Sequence, residues 1–453
     1  MRARRPHGIR ALVVLVAVAV LATAACSGGS SRADRVQAGV LDGKLDDGAT
    51  WQIRTPDHWN GTLLLYSHGY VAPAVDHKVG VGPDGVSATK LLADGFALAA
   101  SSYATTGWAV EDAISDQLDL LDVFADRVAE PEHTIAWGVS MGGLITTALV
   151  EQHPDRFDGG LAMCGVLAGS VALWDRSLDL AFAVQVLLTP DPRAQLVDIT
   201  TDQGPVQTQR VATLTTAATS PTGRARIALA GALAGLPTPA GAKGFLTEAT
   251  NVAIATGAGA ANRSELEHRF GGNPSTNEGV DYAQILAASP RRAEIAAWYQ
   301  AAGLDVQTDL AALAAAPRIA ADPSARERLA AAVTPTGHLE VPLLTLHSTG
   351  DATATLANER AYADLVDAAG DGKLLRQVTT EREGHCTFIP EEVVTAVGVI
   401  QQRVLDGHWP ATLADSLQRT AEDLDLQSKL PPAFVDVDAP VDARLEASAG
   451  ASP

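Results

Sequence analysis

The stretch His133-Thr-Ile-Ala-Trp-Gly-Val-Ser-Met-Gly-Gly143 decides how this 453-residue chain is read. A short apolar run ends in Gly138-Val139-Ser140-Met141-Gly142, and a helix-forming stretch, Leu144 to Gln152, follows at once. Strand, sharp turn and helix with a serine at the apex predict a strained central residue whose hydroxyl is pushed out of the sheet. Glycines on both flanks fit, because a Cβ there would meet the crossing strand and helix. With 40 Gly in the chain, the bland reading is a glycine-rich loop before a helix. The flanking strand and helix favour a nucleophile elbow centred on Ser140.

A serine hydroxyl is a poor nucleophile at neutral pH and needs a base, which a third group must orient. One recurrent order along a chain is Ser, then Asp or Glu, then His. Downstream, Val341-Pro-Leu-Leu-Thr-Leu-His347 reads as a buried strand with Ser348-Thr-Gly-Asp351 as its exit turn. A carboxylate just past the carboxyl end of a sheet strand is well placed for a site, so Asp351 is the expected acid; its bland role is to cap the following helix. Asp175 is the reserve acid. The expected base is His385, on the loop between a strand at 374–380 and a helix at 389–404. His347 lies inside a strand and reads as a packed core residue. An oxyanion hole needs two backbone N–H groups. Met141 is expected to give one and Tyr70 the other, with Gly69 the alternative, from the turn after the strand Thr62 to Ser67.

On His68-Gly69, Gly138-Val-Ser140-Met-Gly142-Gly143, Ser348-Thr-Gly-Asp351 and Gly384-His385, the chain resembles the α/β-hydrolase superfamily of serine hydrolases. Element order and spacing match from about Val40 to Gly165 and from Glu340 to Asp406. The likeness is greatest to secreted bacterial members of the prolyl-oligopeptidase-like and tripeptidyl-aminopeptidase-like branches. It implies an α/β-hydrolase fold, with a mostly parallel central sheet flanked by helices and a large helical lid insertion. The expected core is then 39–167 and 339–406. Alanine-rich helical patterns in 168–338 stand where such a lid enters, and 407–453 reads as an acidic tail, surface-packed or partly disordered.

At the N-terminus, Arg2, Arg4, Arg5 and Arg10 precede an apolar run from Ala11 to Leu21 and then Ala22-Thr-Ala-Ala-Cys26. That order predicts a signal peptide over 1–25. Small residues ending at Cys26 resemble a bacterial lipobox, which implies lipidation of Cys26, a tether over 26–38, and an exported protein, envelope-bound or secreted. Processing would remove four Arg and no acid, taking the formal charge from −20 to −24. A surface so acidic argues against nucleic acid or anionic lipid as partner, leaving the lipid anchor as the membrane contact. Of three Cys, Cys164 and Cys386 remain as an even pair in an exported protein, where a disulfide is expected; free thiols are the alternative.

The expected function is acyl transfer through an acyl-enzyme on Ser140, without metal or cofactor. The substrate is a small ester or short peptide, an ester being favoured for its better leaving group. The alternatives are a peptidase, aminopeptidase or amidase of the same fold, and a non-catalytic envelope binding protein on a hydrolase scaffold. An aminopeptidase would need lid carboxylates for the substrate amine; Glu265, Glu267, Glu278 and Glu294 are available.

Overall fold

The computed structural model describes residues 38–445 except 74, 76, 239–247, 249–260, 411–412 and 443. The signal segment and Cys26 lie outside the described residues. The first strands, β1 (Gly39–Lys44) and β2 (Thr50–Thr55), form an antiparallel pair. Then β3 (Thr62–Ser67), β4 (Ala97–Ser101), β5 (His133–Val139), β6 (Gly159–Met163), β7 (Leu343–Gly350) and β8 (Leu375–Glu383) lie parallel. The sheet order is β1-β2-β4-β3-β5-β6-β7-β8-β9, with β9 (Phe434–Val435) antiparallel at the far edge. This is the strand order of an α/β-hydrolase.

The central strands are apolar on both faces because helices cover both. Side chains alternate across the sheet. Leu64, Leu98, Trp137, Leu344 and Leu346 pack with Leu91 of α1 (Gly85–Ala93) and with Val393, Val397 and Ile400 of α13 (Pro390–Asp406). On the other face, Leu63, Leu65, Ala99 and Ala136 pack with α2 (Val110–Arg127), α3 (Met141–Gln152) and Tyr362 of α12 (Ala357–Ala369). Trp137 is fully buried; truncating it to alanine should cost about 3–5 kcal/mol.

Between β6 and β7 the chain forms α4 (Ser170–Leu187), α5 (Gly204–Ala217), α6 (Pro221–Leu233), α7 (residues 261–270), α8 (Tyr282–Ala288), α9 (Arg292–Ala302), α10 (Val306–Ala315) and α11 (Pro323–Ala332). Most of these helices share an apolar core of their own, built on Phe182, Val184, Leu214, Ile227, Leu229, Ile295, Tyr299 and Leu313, whereas Leu266 and Phe270 of α7 and Leu329 of α11 join the core of the sheet.

The segment after 407 is more integrated than its composition suggests. Ala414, Leu417 and Ala421 of α14 (Leu413–Leu424) are buried against the sheet core. Thr379 and Thr380 of β8 pair with Val435 and Phe434, so β8 is not the sheet's last strand. Acidic composition hid this, because the contact is made by a few small apolar residues spaced along one helix face.

Candidate active site

Ser140 stands between β5 and α3 with φ 59° and ψ −122°. A non-glycine residue in that region is strained by about 1–3 kcal/mol and persists only where its surroundings hold it. Two close approaches hold it. A Cβ on Gly142 would run into the Ser67 carbonyl oxygen, and one on Gly138 would lie 2.6 Å from the same atom. The Ser140 N–H donates to the Met163 carbonyl at 2.9 Å. The turn is thus pinned to β3 on one side and β6 on the other.

His385, on the loop from β8 to α13, reaches the serine. Its Nε2 lies 2.7 Å from Ser140 Oγ, and its Nδ1 lies 2.7 Å from Asp351 Oδ2. Asp351 follows β7 and is fully buried. Its other oxygen, Oδ1, accepts the N–H groups of Thr353 at 2.8 Å and Ala354 at 3.0 Å. A buried carboxylate needs such donors in place of water. The three side chains therefore form a continuous chain in which Nδ1–H donates to Asp351 and Nε2 is left to accept from the serine hydroxyl. That arrangement can take a proton from Oγ during attack and return it to a leaving group.

Asp175 sits elsewhere. It is fully buried on α4, with Oδ1 and Oδ2 each 3.0 Å from Arg326 and Oδ1 accepting the Thr276 N–H. It joins helices of the insertion and does not touch His385.

The turn after β3 runs against the serine. A Cβ on Gly69 would lie 3.2 Å from Ser140 Cβ and 3.7 Å from Oγ. This brings Gly69, the residue before Tyr70, against the serine. Met141 opens α3, where a backbone N–H has no carbonyl one turn earlier to bond. His68, one residue before, is buried. Burial pushes its imidazole down to about 4; its bond to the Gly69 carbonyl works the other way, and His77 adds to the lowering. The turn is fastened to the β4–α2 loop. Gly107 N–H donates to the Val71 carbonyl, and the Tyr70 ring faces Trp108 at 6.4 Å.

Cys164 and Cys386 are bonded to each other, with Cα atoms 5.4 Å apart. Cys386 Sγ lies 3.5 Å from His385 Nε2.

The insertion meets the loops around the site through α4 and α7. Trp174 of α4 stacks edge-on to Trp108. Glu265 of α7 accepts the Trp108 N–H at 3.0 Å and pairs with Arg269, which also bonds the Thr106 carbonyl. Arg176 of α4, deeply buried, donates to the carbonyls of Thr353 and Ala234. Sequence reading did not single out Arg176, although an Asp175-Arg176 pair inside an otherwise apolar helix is a signal of buried charge. Of the four carboxylates of the insertion weighed above, three are engaged: Glu265 as just given, Glu267 with the N–H groups of Asp198 and Ile199, and Glu294 with Arg291. Glu278 is exposed.

Comparison with known proteins gives three kinds of likeness. Residues 104–207 match the prolyl oligopeptidase family. An o-phthalyl amidase from Xanthobacter agilis is 29% identical over 427 residues, covering 84% of this chain and 90% of its own. Among solved structures, acylaminoacyl peptidase from Pyrococcus horikoshii aligns with 81% of this chain at TM-score 0.39 and 10% identity; the chain spans 41% of that protein's length. Feruloyl esterase B from Aspergillus oryzae aligns with 82% of this chain and 81% of its own at TM-score 0.40 and 14% identity.

Proposed function

We propose that this chain, a serine hydrolase of the α/β-hydrolase superfamily, cleaves small acylated amines by way of an acyl-enzyme on Ser140. The observation that carries the mechanism is the relay of two 2.7 Å contacts, Ser140 to His385 and His385 to Asp351. Asp351 holds the Nδ1–H tautomer, so Nε2 is free to act as base. Ser140 Oγ attacks the carbonyl carbon and its proton passes to Nε2. The oxyanion is received by the N–H groups of Met141 and of Tyr70 or Gly69. Nε2 then hands the proton to the departing nitrogen, the C–N bond breaks, and water attacks the acyl-serine by the same route in reverse.

Amides are placed ahead of esters because the amidase relative aligns along most of both chains. An amine leaves only when protonated, and His385 is positioned to protonate it. The ester reading stands second, on the leaving group and the largely apolar insertion. The aminopeptidase reading is weakened by the three engaged carboxylates. We also propose that the protein is exported and carries lipid on Cys26, with 168–338 acting as a lid. Helix contacts to the Trp108 and Thr353 loops support the lid, and a disulfide suits an oxidising compartment.

The test is a panel of nitrophenyl esters, aminoacyl and peptidyl nitroanilides, and an o-phthalyl amide. The proposal expects turnover of the amide with kcat/KM at or above that of the esters. Turnover of esters alone would return the ester reading; turnover of none would favour the binding-protein alternative. Release of a Cys26→Ser variant into the medium, with the wild type retained in the detergent phase, tests the anchor.

A further inference from the structure

His347 is fully buried, three residues inside the end of β7. Both its ring nitrogens face oxygens. Nε2 lies 2.7 Å from the Ala354 carbonyl, which can only accept, so Nε2 carries a proton. Nδ1 lies 2.9 Å from Glu359 Oε1. The other oxygen of Glu359 receives the Thr345 hydroxyl and, at 2.6 Å, the Gln377 amide. Glu359 is itself buried, and this set of donors is that of an ionised carboxylate. A ring donating at both nitrogens is an imidazolium. Its Nε2 stands 3.8 Å from Asp351 Oδ2, the oxygen that accepts the hydrogen bond from His385 Nδ1–H.

We infer that His347, held as an imidazolium by Glu359, is a positioning residue for the catalytic acid: it orients Asp351 and its charge moderates how strongly Asp351 acts on His385. The inference rests on the Ser140–His385–Asp351 relay proposed above. Orientation works through Ala354, whose carbonyl accepts from His347 while its N–H donates to Asp351 Oδ1. The charge works by proximity in a dry interior, where a cation a few ångströms from a carboxylate is felt strongly. Desolvation lowers the His347 pKa, but the bond to Glu359 and the attraction of Glu359 and Asp351 outweigh it, leaving it above the ordinary value. The charged groups facing this cluster are Asp351, just past the end of its own strand, and Glu359 from α12. Beyond Asp351 lie His385 and, from α4, Arg176, which also faces Asp442. Beyond Glu359 lie Tyr362 and Glu151.

The experiment is the pH profile of kcat/KM for His347→Gln and Glu359→Gln. Glutamine at 347 can still donate to Ala354 but carries no charge. Without the cation Asp351 holds the His385 proton more tightly, so the acid limb should move up by about half to one pH unit. Glu359→Gln should discharge His347 and move the limb the same way. A purely structural role would lower kcat and leave the limb in place, and that result overturns the inference. Should either variant fail to fold, ¹⁵N-histidine NMR of the wild type decides. Both His347 nitrogens should be protonated throughout the active pH range, and a neutral ring overturns the inference. The NMR state is expected to be unchanged in Ser140→Ala, so failure of the inference and failure of the proposed mechanism are read separately.

Discussion

Cys386, the neighbour of His385, is bonded to Cys164, the neighbour of Met163, whose carbonyl accepts the Ser140 N–H. One covalent bridge thus ties the histidine's loop to the strand end that anchors the serine. The bridge spans 222 residues of sequence. Closing so long a loop in the unfolded chain stabilises the fold by about 5 kcal/mol in the chain-entropy account.

Reduction should therefore lower activity before it unfolds the protein, because the His385 loop is released first. Cys164→Ser with Cys386→Ser should reproduce the loss, with the melting temperature reduced. Activity that persists in the reduced, folded protein would mean that the bridge does not hold the histidine in place.

Asp351→Asn and Asp175→Asn should separate chemistry from stability. Asp351→Asn offers His385 the wrong partner, and turnover should fall by on the order of 10⁴. Asp175→Asn weakens a buried pair with Arg326 and should act on unfolding, by a few kcal/mol. Denaturant melts beside kinetics check this; a catalytic loss in Asp175→Asn without destabilisation would move the acid to position 175.

The charge pattern that marks Asp175 and Arg176 was visible in α4, but its partners were not. The elbow, the strand and exit turn at Asp351 and the loop at His385 were legible because each is a local pattern, of apolar periodicity broken by Gly. The insertion's contacts were not legible: Arg176 with Thr353, Glu265 with Trp108 and Arg326 with Asp175 join residues more than 150 positions apart. His347 read as core and is core by burial. Its polar partners emerged only once β7 and α12 were side by side. The pairing of β9 with β8 was missed because a two-residue strand leaves no periodicity.

Acid should destabilise the protein through His68. Its imidazole is pushed down to about 4 in the fold, against about 6.5 in an unfolded chain. Between those values the unfolded chain binds more protons, so stability falls as pH drops through that window and levels off below it. The contribution is on the order of 3 kcal/mol. Melts of wild type and His68→Gln from pH 7 to 4 should show a shallower fall in the variant. Parallel curves would mean that His68 charges freely in the folded state.

Gly142→Ala probes the elbow's packing. Its Cβ would strike the Ser67 carbonyl oxygen, which is backbone and cannot rotate away. The expected result is a loss of about 1–3 kcal/mol of stability with a large fall in kcat, since the serine must shift. A normal kcat in Gly142→Ala would show that the turn tolerates displacement.

The central claim is that Ser140 is the nucleophile, and labelling by a fluorophosphonate tests it most directly. Peptide mapping of the labelled wild type should find one modified residue, Ser140. Ser140→Ala should take no label, fold as the wild type does, and turn over no substrate, with kcat reduced by on the order of 10⁶. A label on another residue, or an active Ser140→Ala protein, would contradict the account.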